Sequence, residues 1–385
     1  MRALIVDPDA PGSLRLGTNA EPQAAPHQLV VDVRHISLNR GEVAFAGRLP
    51  AGTVHGYDAA GVVVRAATDG TGPAVGARVT AFGAGAWAQR MAVDTTAVAE
   101  VPAQVDLADA AALPMAGITA LRTLRSRSIL GRRVLITGAA GGVGRYAIQL
   151  AALGGAHVIA SVGSSSRADG LAELGAHQVV VGLEGVDRPV DLILDNVGGQ
   201  QLAAAWELLA PGGGVQNIGW ASDEPAVFAP YSLVSVGPPK TMTTFGGVHE
   251  VGPDLATLLE FVAAGRLSPE VDWRGSWDRV TEASQALLDR RIAGKVAWMW
   301  SGRRPTDAPS RRAGGRASPP VPRSPGPSRC RDHGRERVVG DGRFVVGAVR
   351  AQGTASDCRS SRNQLLSPPL SAPLVADAGR RARGC

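Results

Sequence analysis

The sequence predicts an α/β protein in which a small β-rich unit is followed by a doubly wound parallel sheet and then by a tail without globular patterning. Short apolar runs separated by turn residues fill residues 1–114. After Leu113 and Pro114, apolar strand segments alternate with helical segments. Beyond Gly302 the aromatic residues nearly disappear, and Arg, Pro, Ser and Gly dominate.

In the first part, four apolar runs are bounded by turn residues, which is typical of short strands. These runs are Ala3–Val6, Leu29–Val33, Gly61–Val64 and Arg78–Phe82. We therefore expect residues 1–114 to form a small all-β unit.

The second part alternates between strands and helices. Strands are predicted at Arg132–Thr137, His157–Val162, Gln178–Val181, Val190–Asp195, Val215–Gly219 and Thr241–Phe245. Helices are predicted at Val143–Leu153, Arg167–Leu174 and Gln200–Leu209. This alternation predicts right-handed βαβ units and a parallel sheet covered on both faces. Only about eight residues join Gly182 to the next strand, so either a helix is vestigial there or one strand is misassigned.

A third stretch carries the last globular pattern. It contains an amphipathic segment at Pro253–Ala264, a predicted helix at Thr281–Arg290 and an apolar strand at Lys295–Trp300.

Charge and cysteine are divided unevenly between these parts. The 385 residues carry a net charge of +6, but residues 303–385 hold 17 arginines against 6 acidic residues, so the body of the chain is mildly acidic. All three cysteines, Cys330, Cys358 and Cys385, lie in the same tail. A body without cysteine excludes a disulfide framework, a thiolate metal site and a cysteine nucleophile.

The apolar start MRALIVDPDA is interrupted by Asp and Pro, which is not typical of a secretory signal. No uninterrupted apolar run approaches the roughly 18 residues of a membrane span. We therefore expect a cytoplasmic protein with no membrane partner.

The tail after Gly302 is expected to be disordered because it buries too little apolar surface to offset its ordering entropy. An arginine-rich arm for nucleic acid is the functional alternative, and a solvated tail is favoured over it. A third alternative is a GC-rich gene segment translated out of frame.

A glycine-rich turn follows the strand predicted at Arg132–Thr137. It reads Ala139-Ala140-Gly141-Gly142-Val143-Gly144 and opens a helix. Small residues let the backbone approach a pyrophosphate, and the helix start supplies free N–H groups. A purely structural turn is the alternative, but strand, loop, helix and second strand occur in order, which favours dinucleotide binding.

The residues at and after the end of the second predicted strand of this part, His157–Val162, indicate which dinucleotide is bound. An NAD enzyme usually has a carboxylate there, but this chain has none until Asp169. Ser161, Ser164 and Arg167 instead offer hydroxyls and a guanidinium, which suit a 2′-phosphate. NADPH is therefore the expected cofactor, and the alternative is that Arg167 only caps a solvated helix start.

These features, taken in order, resemble the medium-chain dehydrogenase/reductase superfamily and its zinc-independent NADPH:quinone oxidoreductase (zeta-crystallin-like) branch. The resemblance is carried by SLNRGEV, GYDAAGVV, VGARV, AALPMAGITA, ITGAAGGVG, SVGSSSR, LDNVGG, LAPGGGVQNIG and AGKVAWMW. It implies a GroES-like catalytic domain over 1–114 and 250–302, a Rossmann NADP-binding domain over 115–249 and a tail over 303–385. It also implies a homodimer.

The resemblance further implies which residues contact the cofactor. They are Asn39, Thr119, Ala140, Gly141, Gly142, Val143, Gly144, Ser161, Ser164, Arg167, Asn196, Val197, Gly219, Phe245 and Lys295.

The same comparison predicts that no zinc is bound. Zinc-dependent relatives have a Cys near Ser37 and a His where this chain has Tyr57. Without a metal Lewis acid, the acceptor should be easily reduced, as a quinone or an enone is. Tyr57 and Asn39 are the candidate catalytic residues, with Tyr57 either a hydrogen-bond donor to the developing enolate or a wall of the substrate pocket.

Three functions remain open at this point. The first is an NADPH-dependent reductase of quinones or α,β-unsaturated carbonyls with a small-molecule substrate. The second is an enoyl reductase of a biosynthetic pathway. The third is an NADPH-binding protein without essential turnover, as in crystallin recruitment.

Overall fold

The computed structural model describes residues 1–234 and 237–299. It confirms the predicted fold class, with one mixed sheet, one parallel sheet, a small two-stranded antiparallel sheet and surrounding helices. The expectations for the tail at 303–385, including its disorder and its three cysteines, lie outside the described residues. None of the helices in the described ranges is long and apolar enough to cross a membrane.

The N-terminal part is rich in strands. These are β1 (Arg2–Val6), β2 (Leu14–Thr18), β3 (Gln28–Leu38), β4 (Asp58–Arg65), β5 (Arg78–Phe82), β6 (Arg90–Asp94) and β7 (Val98–Glu100). Its helices are α1 (Arg40–Phe45), α2 (Leu107–Ala111) and α3 (Pro114–Leu124). All four predicted apolar runs lie within strands.

The short helices α1 and α2 correct the expectation of an all-β unit. The backbone N–H of Asn39, just before α1, donates to the Glu42 side chain at 2.7 Å. Before α2, the Asp106 side chain accepts from the N–H of Ala108 at 2.7 Å. Such caps stabilise helices of five or six residues, which are too short to show a helical periodicity in the sequence.

The middle of the chain forms a six-stranded parallel sheet. Its strands are β8 (Arg133–Ile136), β9 (His157–Val162), β10 (Gln178–Val181), β11 (Val190–Asp195), β12 (Leu209–Asn217) and β13 (Thr241–Thr244), with helices α4 (Gly142–Leu153) and α5 (Gly199–Glu207). The spatial order is β10-β9-β8-β11-β12-β13. This is a doubly wound order: the chain adds β9 and β10 on one side of β8 and then adds β11, β12 and β13 on the other side. Such sheets bind ligands at this switch point, between β8 and β11.

The helix predicted at Arg167–Leu174 is wrong. The chain makes a single 3-10 turn at Ser165–Arg167 and then further turns. Gly170, inside the predicted helix, has a φ angle of +76°, which a right-handed helix cannot include. The short link from Gly182 to Val190 likewise contains no helix, and the strands on both sides of it are present.

After β13 the chain returns to the first sheet through α6 (Gly252–Ala263), β14 (Val271–Ser276), α7 (Val280–Leu288) and β15 (Lys295–Met299). The order of this mixed sheet is β14-β15-β3-β4-β5-β7, with β6 also paired to β3. Three fully buried tryptophans, Trp87, Trp277 and Trp298, occupy its core.

The start of β15 also contacts the glycine-rich loop before α4. Gly294 forms a parallel bridge with Gly141, and its N–H donates to the Ala140 carbonyl at 3.1 Å. The two sheets therefore meet at the loop predicted to bind the cofactor.

Candidate active site

The glycine-rich loop leaves β8 and enters α4 with very little space around its backbone. A Cβ added to Gly144 would lie 2.5 Å from the Ala139 carbonyl oxygen and 2.6 Å from the Ala139 Cα. Gly138 has φ +60°, which favours glycine. The first turn of α4, which begins at Gly142, leaves backbone N–H groups free to bind phosphate, so this loop fits a dinucleotide pyrophosphate.

Side-chain hydrogen bonds join the carboxyl ends of β8, β11 and β12 next to this loop. The Asp195 carboxylate accepts from Thr137 Oγ1 at 2.7 Å, from the N–H of Gly198 at 2.9 Å and from Asn217 Nδ2 at 3.2 Å. Burial raises the pKa of Asp195, and these hydrogen bonds oppose the shift. These hydrogen bonds fix the strand ends at the point where the strand order reverses, between β8 and β11.

Several residues predicted to contact the cofactor lie along this edge. Asn196 Nδ2 donates to the Thr137 carbonyl at 2.8 Å. A Cβ at Gly219 would lie 3.1 Å from the Asn196 carbonyl oxygen, so the chain is closely packed after β12. The N–H of Phe245 donates to the Asn217 carbonyl at 2.8 Å. Val197 follows Asn196 in the same turn.

Two of the predicted cofactor hydroxyls are already bonded within the protein. Ser161 is fully buried; its hydroxyl donates to the Gly182 carbonyl at 2.5 Å and accepts from Gln201 Nε2 at 2.9 Å. Thr119 is buried in α3, and its hydroxyl donates to the Met115 carbonyl at 2.6 Å. The structure therefore does not present the Ser161 hydroxyl to a 2′-phosphate.

A group of arginines lies beyond the end of β9. The Arg167 guanidinium donates to the carbonyls of Arg290 and Ile292, in the turn between α7 and β15. Burial lowers the pKa of Arg167, and the nearby Arg290 and Arg145 guanidinium groups lower it further. The hydroxyls of Ser164 and Ser166 lie 2.9 Å apart and are exposed. Arg145 pairs with Glu270 at 2.8 Å.

Arg290 was not found by the sequence reasoning. It follows α7 in sequence, far from the nucleotide motifs, and only the tertiary structure brings it near Arg167.

A second group of polar side chains is buried where β4, β15 and the start of α1 meet. Lys295 Nζ donates to Asn39 Oδ1 at 2.5 Å and to Asp58 Oδ2 at 3.3 Å. Asn39 Nδ2 donates to Asp58 Oδ2 and to Glu42 Oε2, both at 2.9 Å. Asp58 Oδ1 accepts from the N–H of Met115 at 2.9 Å, which places it at the N-terminus of α3. We call Asn39, Glu42, Asp58 and Lys295 the buried network.

The charges within the buried network are unequal, with two carboxyl groups for one ammonium. Desolvation of Glu42, followed by the repulsion from Asp58, raises the pKa of Glu42 to about 8, while Lys295 and the hydrogen bonds from Asn39 oppose the shift. The sequence reasoning selected Asn39 and Lys295 but missed the two carboxyl groups. Their polar character within apolar surroundings was the available signal.

Tyr57 adjoins the buried network through its backbone. Its N–H donates to Glu42 Oε1 at 2.9 Å. Its ring stacks on Phe82 with centroids 5.6 Å apart and meets the His55 ring edge-on at 6.2 Å. Among the described residues, no hydrogen bond involves the phenol oxygen, so it is free to bind a ligand.

The donors at the positions of the zinc ligands do not fit a zinc ion. Ser37 is fully buried and provides only a hydroxyl, and Tyr57 provides a phenol. The neighbouring His55 is committed through Nε2 to the Glu42 carbonyl at 2.9 Å. Within 1–234 and 237–299, no cluster of three or more His, Cys, Asp or Glu side chains could hold a metal.

Comparison with known proteins shows the family to which this chain belongs. Residues 155–297 match the family model described as zinc-binding dehydrogenase. A 2-methylene-furan-3-one reductase from Solanum lycopersicum is 30% identical over 312 residues, covering 74% of this chain and 74% of that protein. The chain belongs to the medium-chain dehydrogenase/reductase superfamily, in its quinone oxidoreductase-like branch. As a member of this superfamily, it is of the NAD(P)-dependent oxidoreductase class.

Two further likenesses extend the family comparison. A highly reducing polyketide synthase of Fusarium mangiferae is 34% identical over 209 residues, which are 50% of this chain and 8% of that protein. The chain thus spans only a small part of the length of the polyketide synthases that it matches. The quinone oxidoreductase of Escherichia coli, solved in complex with NADPH, matches the fold with a TM-score of 0.70 at 21% identity, covering 78% of this chain and 100% of that one.

Proposed function

We propose that this chain is an NADPH-dependent, zinc-independent reductase that transfers hydride to a quinone or an α,β-unsaturated carbonyl. The observation that carries the proposal is the contact between the glycine-rich loop and the buried network. A Cβ at Gly142 would lie 2.8 Å from Lys295 Cδ, so the start of α4 and the Asn39–Lys295 pair border the same cleft. A dinucleotide bound at the loop would have polar side chains of the first, mixed sheet within reach.

The preference for NADPH rests on charge beyond the end of β9. After burial, repulsion from the guanidinium groups of Arg290 and Arg145 lowers the pKa of Arg167. A 2′-phosphate between Arg167 and Arg290 would offset that repulsion and accept charge-assisted hydrogen bonds. A ribose 2′-hydroxyl would do neither. Exposed Ser164 and Ser166 supply further donors.

The proposed acceptor follows from what the cleft offers the reacting carbonyl. NADPH supplies a hydride to the acceptor, and an enone then needs one proton on its α-carbon. The free phenol of Tyr57 is the proposed donor to the acceptor oxygen, and Phe82 holds the Tyr57 ring by stacking. The Asn39 amide is held within the buried network, since Nδ2 donates to Glu42 and Asp58 while Oδ1 accepts from Lys295, so its proposed role is to fix the position of Lys295 beside the glycine-rich loop.

An enoyl reductase acting on biosynthetic intermediates is the second candidate. It is supported by the 34% identity with a highly reducing polyketide synthase. The reaction chemistry is the same, and only the size and attachment of the acceptor differ. Enoyl thioesters in the acceptor panel separate the two candidates, because an enoyl reductase converts them to saturated thioesters.

We also propose that the protein is a homodimer formed at β13. This strand is the edge of the parallel sheet, all four of its residues are exposed, and none is charged or proline. Unprotected edges of this kind are free to pair with a second copy. Sedimentation of the purified chain, compared with the Met242→Lys variant, tests the interface.

The experiment that tests the catalytic proposal follows NADPH oxidation with quinones, enones and enoyl thioesters. We expect turnover with at least one acceptor, a preference for NADPH over NADH and full activity after chelation by EDTA. NADPH binding without turnover by any acceptor would favour the binding-protein alternative. Activity that is lost on chelation and restored by zinc would overturn the metal-free mechanism.

A further inference from the structure

Residues 246–250 form the loop that leaves the carboxyl end of β13 and leads into α6. Ligands of doubly wound sheets bind at the carboxyl ends of the strands. Val248 of this loop packs on the same hydrophobic cluster as Tyr57 and Met115. Three strands, β8, β11 and β12, separate β13 from β9 in the sheet, so the loop lies on the side of the site away from the arginines beyond β9. Under the proposed function, this is the acceptor side.

One side chain outside the loop fixes its backbone. Arg122, near the end of α3, donates from Nη1 to the Gly247 carbonyl at 3.2 Å. Its Nη2 donates to the His249 carbonyl at 2.9 Å and to the Glu250 carbonyl at 3.4 Å. In the part of the chain that the structure describes, these are the only hydrogen bonds made by residues 246–250.

The loop needs this support because of its backbone conformation. Gly247 has φ +72° and Glu250 has φ +48°. A left-handed conformation is costly for a glutamate, and it persists only where neighbouring contacts impose it. The hydrogen bond to the Glu250 carbonyl is such a contact.

Arg122 is itself held in place by a carboxylate. Its Nε donates to Asp254 Oδ2 at 2.6 Å, in the first turn of α6. Arg125 donates to the other oxygen of Asp254, also at 2.6 Å, but within the described residues it makes no hydrogen bond to the loop. The Arg122 side chain is 25% exposed and that of Arg125 is 53% exposed. The two arginines thus share one partner and differ in their contact with the loop.

We propose that Arg122 is a positioning residue that sets the shape of the acceptor pocket by holding the loop 246–250. The fork of the guanidinium is required, because three carbonyls and one carboxylate surround it from different directions. Lysine would keep the charge opposite Asp254 but could not reach all of these acceptors. This inference rests on the proposed function.

The test compares Arg122→Gln, Arg122→Lys and Arg125→Gln in the full chain. Steady-state kinetics with NADPH and the best acceptor are measured, together with the Kd of 2′,5′-ADP, a probe of the adenosine half of the cofactor site. We expect both Arg122 variants to lose about tenfold or more in kcat/KM, as misplaced pocket groups do. Their affinity for 2′,5′-ADP should stay within about twofold of the parent, and Arg125→Gln should stay within about twofold in both quantities.

The outcomes separate this inference from the proposed function. An equal loss of kcat/KM in Arg125→Gln and Arg122→Gln would overturn the positioning role, and so would an unchanged kcat/KM in Arg122→Lys. A parent protein that neither binds nor oxidises NADPH would instead overturn the proposed function. If Arg122→Gln does not fold, Val248→Ala provides the second measurement, because it alters the loop without removing a charge. It should raise the acceptor KM and leave 2′,5′-ADP binding unchanged, and an unchanged acceptor KM would contradict the inference.

Discussion

Lys295 and Asp58 form an ion pair in which both side chains are almost completely buried, with Nζ and Oδ2 3.3 Å apart. Lys295 begins the strand that returns to the first sheet, and Asp58 begins β4. Asp58 also accepts from the N–H of Met115 in the first turn of α3, so this pair joins β15, β4 and α3. Its contribution can be measured.

Replacing Lys295 by methionine should lower the free energy of unfolding by about 3–5 kcal/mol, because the buried carboxylate of Asp58 would be left without its cation. Urea denaturation measures the loss. The double variant Lys295→Met with Asp58→Asn removes both charges of the pair and should recover much of the stability. No recovery in the double variant would show that Lys295 acts mainly through packing.

Stability should depend on pH through Glu42. Its pKa is about 8 in the folded chain and 4.5 in its ordinary environment, so the folded state holds a proton that the unfolded state releases between these values. The stabilisation is complete below about pH 4.5 and is lost as pH rises through about 8. The melting temperature of the parent should therefore fall between about pH 4.5 and 8, and Glu42→Gln should flatten that fall.

Glu282 is the matched control for that measurement. It is exposed, and its hydrogen bond with Arg279 lowers its pKa. Glu282→Gln should leave the pH dependence of the melting temperature unchanged in the upper half of this pH range. A parent protein whose stability rises across the same range would contradict the assignment of the shift to Glu42.

Arg167→Ala and Arg290→Ala should each weaken NADPH binding by about ten- to a hundredfold, the effect of a hydrogen bond to a charged group. NADH binding should change little, because NADH lacks the 2′-phosphate. Fluorescence quenching of the tryptophans by each nucleotide gives the Kd values. Arg266→Ala, which removes a cation stacked on Phe261 at 4.6 Å, is the control. Equal weakening of NADPH and NADH would reject the phosphate role.

The sequence predicted the fold through its local patterns. The alternation of strands and helices and the spacing of Gly141, Gly142 and Gly144 needed only neighbouring residues, and the structure confirms the predicted fold class. The site was less predictable because its charges meet across long sequence separations. Asn39 and Lys295 are 256 residues apart, and Arg122 reaches carbonyls of residues more than 120 positions away. No periodicity encodes such contacts.

The missing helix after Arg167 shows a different limit. Leu171 is fully buried and Leu174 is partly buried, which gave the segment a helical spacing of apolar residues. Glycines on both sides of them adopt left-handed angles, and the backbone therefore turns. Burial of the same apolar residues was achieved without a helix, so the pattern was satisfied by another conformation.

Gly144→Ala tests whether the loop requires glycine for close packing. The new Cβ would lie within 2.5–2.7 Å of Ala139 backbone atoms, which cannot move aside as a flexible side chain can. We expect a loss of about 1–3 kcal/mol in the free energy of unfolding and a weaker affinity for NADPH, because the first turn of α4 must shift. Gly41→Ala is the control, since nothing lies within 4 Å of its added Cβ in helix α1. It should raise stability by about 0.5–1 kcal/mol. If Gly144→Ala kept both stability and affinity, the contact between α4 and β8 would be looser than the structure indicates.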